Sequence, residues 1–218
     1  MRWDRPGHGR VSPLDFIPAA ERTGLIVPLG SLILDKACAQ IAAWRAQHGH
    51  AVPVAVNVSP VQLLDAAFPD HVLQTLQRHG VAPELLTLEM TESAAVTSMA
   101  QAVELIGRMR ERGVLFALDD FGTGFSSLSM LRGLPLATLK IDRSLIDPLP
   151  APEAQAVVTA ICSLAAALKL EVVGEGVETE THAQAALAAG CHTLQGYHFA
   201  RPLEPDAAGQ WLVRRAAA

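Results

Sequence analysis

Phe116-Ala-Leu-Asp-Asp-Phe-Gly-Thr-Gly-Phe-Ser-Ser-Leu128 is the stretch from which the rest of the chain is read. Residues 114–118 are apolar and of strand length, and they end on two adjacent carboxylates, Asp119 and Asp120. Gly122 and Gly124 then make a tight loop, and Ser126 or Ser127 can cap a helix starting near Leu128. Burying an unpaired carboxylate costs several kcal/mol, so two at the end of a buried strand require a cation or a proton. A solvated Asp-Asp-x-Gly turn would account for the same residues without chemistry. A divalent metal at the mouth of an α/β fold is the functional alternative, because such sites are built at strand ends.

Outward from this stretch the chain alternates. Strands are predicted over 52–58, 85–90, 114–118, 137–141, 171–173 and 192–195. Helical segments fall at 61–64, 70–78, 97–112, 127–132, 152–168, 181–189 and 206–214. Ahead of them, residues 1–3 read as a stub and 4–9 as a loop. Ser12-Pro13 opens a short helix ending at Thr23-Gly24, and 29–48 is helical up to Gly49. The Ala-rich tail, 214–218, reads as a frayed helix end. Strand-helix alternation at this spacing means parallel strands covered by helices.

At 218 residues and 50% apolar content the chain suits one domain, 1–218, with a sizeable core. A net charge of −5 without a basic run argues against a nucleic-acid polymer, though not against a small phosphate ligand. Cys38, Cys162 and Cys191 lack metal-ligand spacing and read as reduced core thiols of a cytoplasmic protein. No signal peptide is visible, and no apolar run reaches membrane-spanning length.

Each predicted strand ends on a polar residue: Asn57, Glu89, Asp119 with Asp120, Lys140 with Asp142, Glu175, and Gln195. A doubly wound sheet needs chemistry only where its strand order reverses. A barrel brings every strand end to one mouth. The pattern therefore favours a (β/α)₈ barrel lacking about two strands. The donors are hard oxygens, suited to Mg²⁺ or Mn²⁺, and numerous enough for two ions sharing an aspartate. Two ions ~4 Å apart serve phosphoester hydrolysis. Lys140 would hold water or a phosphate oxygen, or act only as a counter-ion. Glu92 would either hold the loop at 122–124 or cap a helix at Ser93. Glu178, three residues after Glu175, has the same two readings. His71 and His79 read as surface residues, and Met90, Met99, Met109 and Met130 as core fillers.

These segments resemble the EAL-domain family of bacterial cyclic-di-GMP phosphodiesterases. The similarity runs through Arg2-Trp3, Phe16-Ile-Pro18 with Glu21, Val56-Asn-Val-Ser59 and Leu88-Glu-Met-Thr-Glu92. It continues in Asp119-Asp-Phe-Gly-Thr-Gly124, Leu139-Lys-Ile-Asp142, Glu175-Gly-Val-Glu178 and Gln195-Gly-Tyr197. The resemblance implies a TIM-like barrel that hydrolyses cyclic-di-GMP to linear pGpG with Mg²⁺ or Mn²⁺. It implies Asn57, Glu89 and Asp119 at a first metal, and Asp119, Asp120 and Glu175 at a second. Lys140 would position or activate the attacking water, with Glu175 beside it. Arg2 and Gln195 would contact substrate. Glu92 would support the loop after Asp120, which in this family couples metal binding to dimerisation. A homodimer and an upstream sensory or diguanylate-cyclase-like domain are implied in the same way. Two departures stand out: Arg5 replaces the family's usual His before Pro6, and the Glu-Ala-Leu signature would lie just before Arg2. The chain is thus expected to be N-terminally truncated. The alternative function is a catalytically impaired EAL domain that binds cyclic-di-GMP or a protein partner. Outside the family, another Mg²⁺-dependent barrel enzyme, acting for instance on an enolisable acid, is the remaining reading.

Overall fold

Strand alternation explains the sheet. On β4 (Leu86–Thr91) Leu86, Leu88 and Met90 are fully buried, while Thr87 and Glu89 face the opposite way into a cavity. On β6 (Thr138–Ile141) Leu139 and Ile141 are buried, and Thr138 and Lys140 line the same cavity. Large aliphatics thus face the helices, and small or polar residues face inward. Each fully buried leucine or isoleucine contributes roughly 1.5–3 kcal/mol against exposure.

The computed structural model describes residues 3–49, 51–92, 99–124 and 128–216. Its main sheet has six parallel strands in sequential order: β3 (Val54–Asn57), β4, β5 (Leu115–Phe121), β6, β7 (Glu171–Gly174) and β8 (Thr193–Leu194). The crossovers carry α3 (Pro60–Leu63), α4 (Phe68–His79), α5 (Met99–Arg110), α6 (Leu128–Gly133), α7 (Arg143–Ile146), α8 (Pro152–Ala167) and α9 (Glu180–Ala189). After β8 comes α10 (Pro205–Ala216). The order never reverses, which excludes a doubly wound sheet. Residues of both outer strands, Val54 and Ala55 on β3 and Thr193 and Leu194 on β8, line one cavity of about 820 Å³. The sheet therefore curls around that cavity as an arc of a TIM-like barrel, as the strand-end pattern implied.

α1 (Pro13–Thr23) and α2 (Ile26–His48) precede the sheet. Ser12 caps α1 by accepting from the Leu14 N–H, with Pro13 in the first turn. The expectation that no apolar stretch reaches membrane-spanning length needs correction. Asp35 and Lys36 interrupt the run, yet the 23-residue α2 is long and apolar enough by length and composition. Its Leu34, Cys38 and Ile41 belong to the core.

The first residues also differ from expectation. In place of a stub and loop, β1 (Trp3–Arg5) and β2 (Gly9–Val11) form an antiparallel hairpin, with Trp3 edge-on to Phe16 at 5.6 Å. Three-residue strands have no period to read. The four-residue α7 was missed for the same reason. His71 and His79 are not simple surface residues. His71 Nε2 is buried without a hydrogen bond among the described residues, and His79 Nε2 lies 2.8 Å from Asp35 Oδ1. Met90, Met109 and Met130 are in the core as read, and Met99 packs against it. All three cysteines are buried and free, and burial pushes the Cys38 thiol up to about 11.

Candidate active site

The site is made by an irregularity in β5. The strand does not end at Leu118 but runs on through both acids to Phe121. In a regular strand Asp119 and Asp120 would point to opposite faces. Here the register against β6 shifts between Leu118 and Phe121, and Asp120 has φ +56°. A bulge of this kind re-aims a side chain. The left-handed conformation costs a non-glycine residue roughly 1–2 kcal/mol, and aspartate tolerates it better than most. As a result, carboxylate oxygens of Asp119, Asp120 and Glu175 lie within 4.8 Å of one another.

Lys140 rises into this group from β6, two residues before Asp142. Its Nζ is 2.8 Å from Glu89 Oε1, 2.9 Å from Asp119 Oδ1 and 2.8 Å from Glu175 Oε1. Lys140 is buried, which works against its charge. The carboxylates of Glu89, Glu175 and Asp119 outweigh that effect and raise its pKa above the usual lysine value. The ammonium is therefore a fixed cation that donates hydrogen bonds, and it has no lone pair to accept a proton. Burial raises the Glu89 and Glu175 carboxyls, with Lys140 opposing the rise. Burial, then the Asp119 charge, raises Asp120.

The donor set fits a hard divalent cation. Four ionised carboxylates (Glu89, Asp119, Asp120, Glu175) and one ammonium sum to −4 + 1 = −3, a charge that a buried site does not hold uncompensated. Asp119 Oδ1 is buried and, despite its 2.9 Å distance to Lys140 Nζ, makes no hydrogen bond of good geometry among the described residues. That leaves lone pairs suited to a metal ion. The raised carboxyls set the pH behaviour. With folded pKa values above the ordinary 4.5 of glutamate, the metal-free protein loses stability as pH rises from that value through the raised ones. Metal binds the ionised forms, so its stabilisation grows over the same window. We expect Mn²⁺ to raise the Tm clearly at pH 8 and much less at pH 5. Equal shifts in calorimetry at the two pH values would contradict this assignment.

The remaining expected residues are placed as follows. Asn57 is in register with Glu89 across β3 and β4, and Val58 N–H donates to Glu89 O at 2.8 Å. Asn57 also borders a small crevice with Gly30, Gln62 and His71, while its register with Glu89 puts the two side chains on one face of the sheet. Gln195 directly follows β8 and lines the main cavity with Glu89 and Lys140. Glu92 is buried, and neither carboxylate oxygen has a hydrogen-bond partner among the described residues. It faces Gly124, where an added Cβ would come within 3.3 Å of Glu92 Oε2. Ser93, Ser126 and Ser127, read as possible caps, and Arg2, read as a substrate contact, lie outside the described residues. Glu178 does not cap α9. That cap is Thr179, whose side chain accepts from the His182 N–H, and Glu178 instead pairs with Arg143 at 2.7 Å. Sequence reasoning missed Arg143. Its place three residues after Lys140 was the available signal.

The EAL domain family model matches residues 1–202. The bifunctional diguanylate cyclase/cyclic di-GMP phosphodiesterase MucR of Pseudomonas aeruginosa is 42% identical over 208 residues, covering 94% of this chain and 30% of that protein. Another Pseudomonas aeruginosa protein, named as a cyclic di-GMP phosphodiesterase, is 38% identical over 217 residues, covering 98% of this chain and 36% of that one. This chain thus spans about a third of the length of these relatives. A solved structure of the PaMucR phosphodiesterase in complex with c-di-GMP superimposes with TM-score 0.88 at 40% identity, over 95% of this chain and 84% of that one. The EAL domain of Mycobacterium smegmatis DcpA superimposes with TM-score 0.82 at 37% identity, over 87% and 86% of the two chains. A curled parallel sheet with paired aspartates at a bulge, and a family match over nearly its whole length, make this chain a member of the EAL domain family.

Proposed function

We propose that this domain hydrolyses cyclic-di-GMP to linear pGpG, using two divalent ions, Mg²⁺ or Mn²⁺. The observation that carries the reading is the convergence of Asp119, Asp120 and Glu175 beside Lys140 at one end of the curled sheet. Asn57, Glu89 and Asp119 would hold one ion, and Asp119, Asp120 and Glu175 the other. When bound, such ions supply Lewis-acid polarisation of a phosphate and a water of lowered pKa.

The chain's own residues do the rest. Lys140 donates a hydrogen bond to the attacking water and fixes its position, since its charge bars it from taking the proton. Glu175, whose Oε1 lies 2.8 Å from the Lys140 ammonium and so beside the water that Lys140 would hold, accepts that proton. The water oxygen forms a bond to phosphorus, the bond from phosphorus to the ribose 3′-oxygen breaks, and that oxygen leaves with a proton from solvent. Gln195 lines the cavity beside Glu89 and Lys140, where it can hydrogen-bond substrate, and the family resemblance alone gives Arg2 the role of contacting a phosphate oxygen. Glu92 steadies the loop at 122–124. We read the domain as one cytoplasmic module of a longer signalling protein that pairs as a homodimer.

Incubating the purified chain with cyclic-di-GMP and Mg²⁺ or Mn²⁺ tests the reading, with pGpG followed by chromatography. Product that EDTA abolishes and excess Mn²⁺ restores is expected. Product insensitive to EDTA would remove the metal from the mechanism, and no product in metal would remove hydrolysis.

A further inference from the structure

Glu175 and Glu178 sit on the short segment between β7 and α9, and this segment is held from both sides. On one side Val177 N–H donates to Gln195 O and His198 N–H donates to Val177 O, both at 3.0 Å. The backbone of Val177 packs so closely on Gly196 that any side chain there would collide with it. On the other side lies Arg143, the first residue of α7. Its Nη1 is 2.7 Å from Glu178 Oε1 and its Nε is 2.9 Å from Asp147 Oδ2. Its aliphatic stem crosses Gly176, which has φ +72°, and a Cβ at that position would meet the Arg143 stem.

We propose that Arg143 is a positioning residue for Glu175. It pins the segment that follows β7 to the helix that follows Lys140. Glu175 N–H already donates to Ile141 O at 3.1 Å, which fixes the backbone of Glu175 against β6. Two residues further on, the chain leaves the sheet, and Arg143 supplies the restraint that the ladder no longer does. The planar fork matters. Nε and Nη1 serve two carboxylates at once, from two elements, while the stem covers a glycine backbone. A lysine there would offer a compact point charge on a flexible stem, without the separate, fixed Nε and Nη1 donors that Arg143 directs at Asp147 and Glu178. Surface ion pairs alone contribute little to stability. The effect is therefore expected on the carboxylate geometry of the site rather than on folding. Gly176 fits the same account, since both its left-handed φ and the Arg143 stem exclude a side chain.

The inference rests on Glu175 being a metal ligand, and its test separates the two. Mn²⁺ affinity is measured by electron paramagnetic resonance on the intact chain, with the Tm recorded for every variant. Arg143→Ala and Arg143→Lys are both expected to weaken Mn²⁺ binding, by about 10-fold in the alanine variant. Their metal-free Tm should stay close to that of the parent. The double variant Arg143→Glu/Glu178→Arg should recover part of the affinity. Unchanged affinity in Arg143→Ala, or equal losses of affinity and Tm, would overturn the positioning role. If instead Glu175→Gln binds Mn²⁺ as tightly as the parent, the ligand assignment beneath the inference fails.

Discussion

Lys140→Met is expected to lower the rate of pGpG formation by about 10²–10³-fold, the range typical of losing one preorganised hydrogen-bond donor from an active site. Methionine keeps most of the stem and removes only the charge. In the parent the ammonium reaches Glu89, Asp119 and Glu175 at 2.8 to 2.9 Å. Without it, the opposing influence that holds down the Glu89 and Glu175 carboxyls is gone, so both rise further. Their folded pKa values then lie still further above 4.5. The metal-free variant should therefore lose more stability than the parent as pH rises from that value, and added Mn²⁺ should restore it. The loss should appear in kcat with Mn²⁺ binding retained. A variant with parental kcat would reduce Lys140 to a structural counter-ion.

The second large effect is expected at Asp120, where two substitutions separate charge from backbone. Asp120→Asn keeps a side chain that tolerates positive φ and removes one carboxylate from the trio. Activity should fall by at least about 100-fold, since losing an outer partner of a ligand already costs up to that much. The Tm of the metal-free protein should be unchanged or higher, because one of the mutually repelling acids is gone. Asp120→Val should lose activity equally and also lose stability. A β-branched residue at φ +56° is a strained outlier, and about 1–2 kcal/mol lowers the Tm of a domain this size by roughly 2–8 °C. Equal Tm values for the two variants would show that the bulge does not depend on what stands at 120.

What was legible in the sequence was mostly periodic or chemical. The six strands of the main sheet and the longer helices follow from apolar period and from caps such as Ser12, because these signals are local. The barrel-like arc followed from strand ends that all carry polar residues, since only a curled sheet makes use of every one of them. The identities Asp119, Asp120, Lys140 and Glu175 were legible because buried charge is too costly to be incidental. Contacts across the chain were not. No pattern in the sequence announces that β5 continues through its acids and bulges there, because alternation predicts that neighbouring side chains diverge. Nor does it show that Lys140 is held charged by three carboxylates, two on β4 and β5 and one just past the end of β7. The hairpin Trp3–Arg5 with Gly9–Val11 was too short for a period to appear. Glu178 read by position as a loop support or a helix cap, and its pairing with Arg143 arises only because β6 and β7 lie side by side. The sequence by itself determined which residues could do chemistry and in which elements they stand. The tertiary structure decided which of them meet, because that depends on register, on one left-handed residue and on charges brought together by strands far apart in the chain.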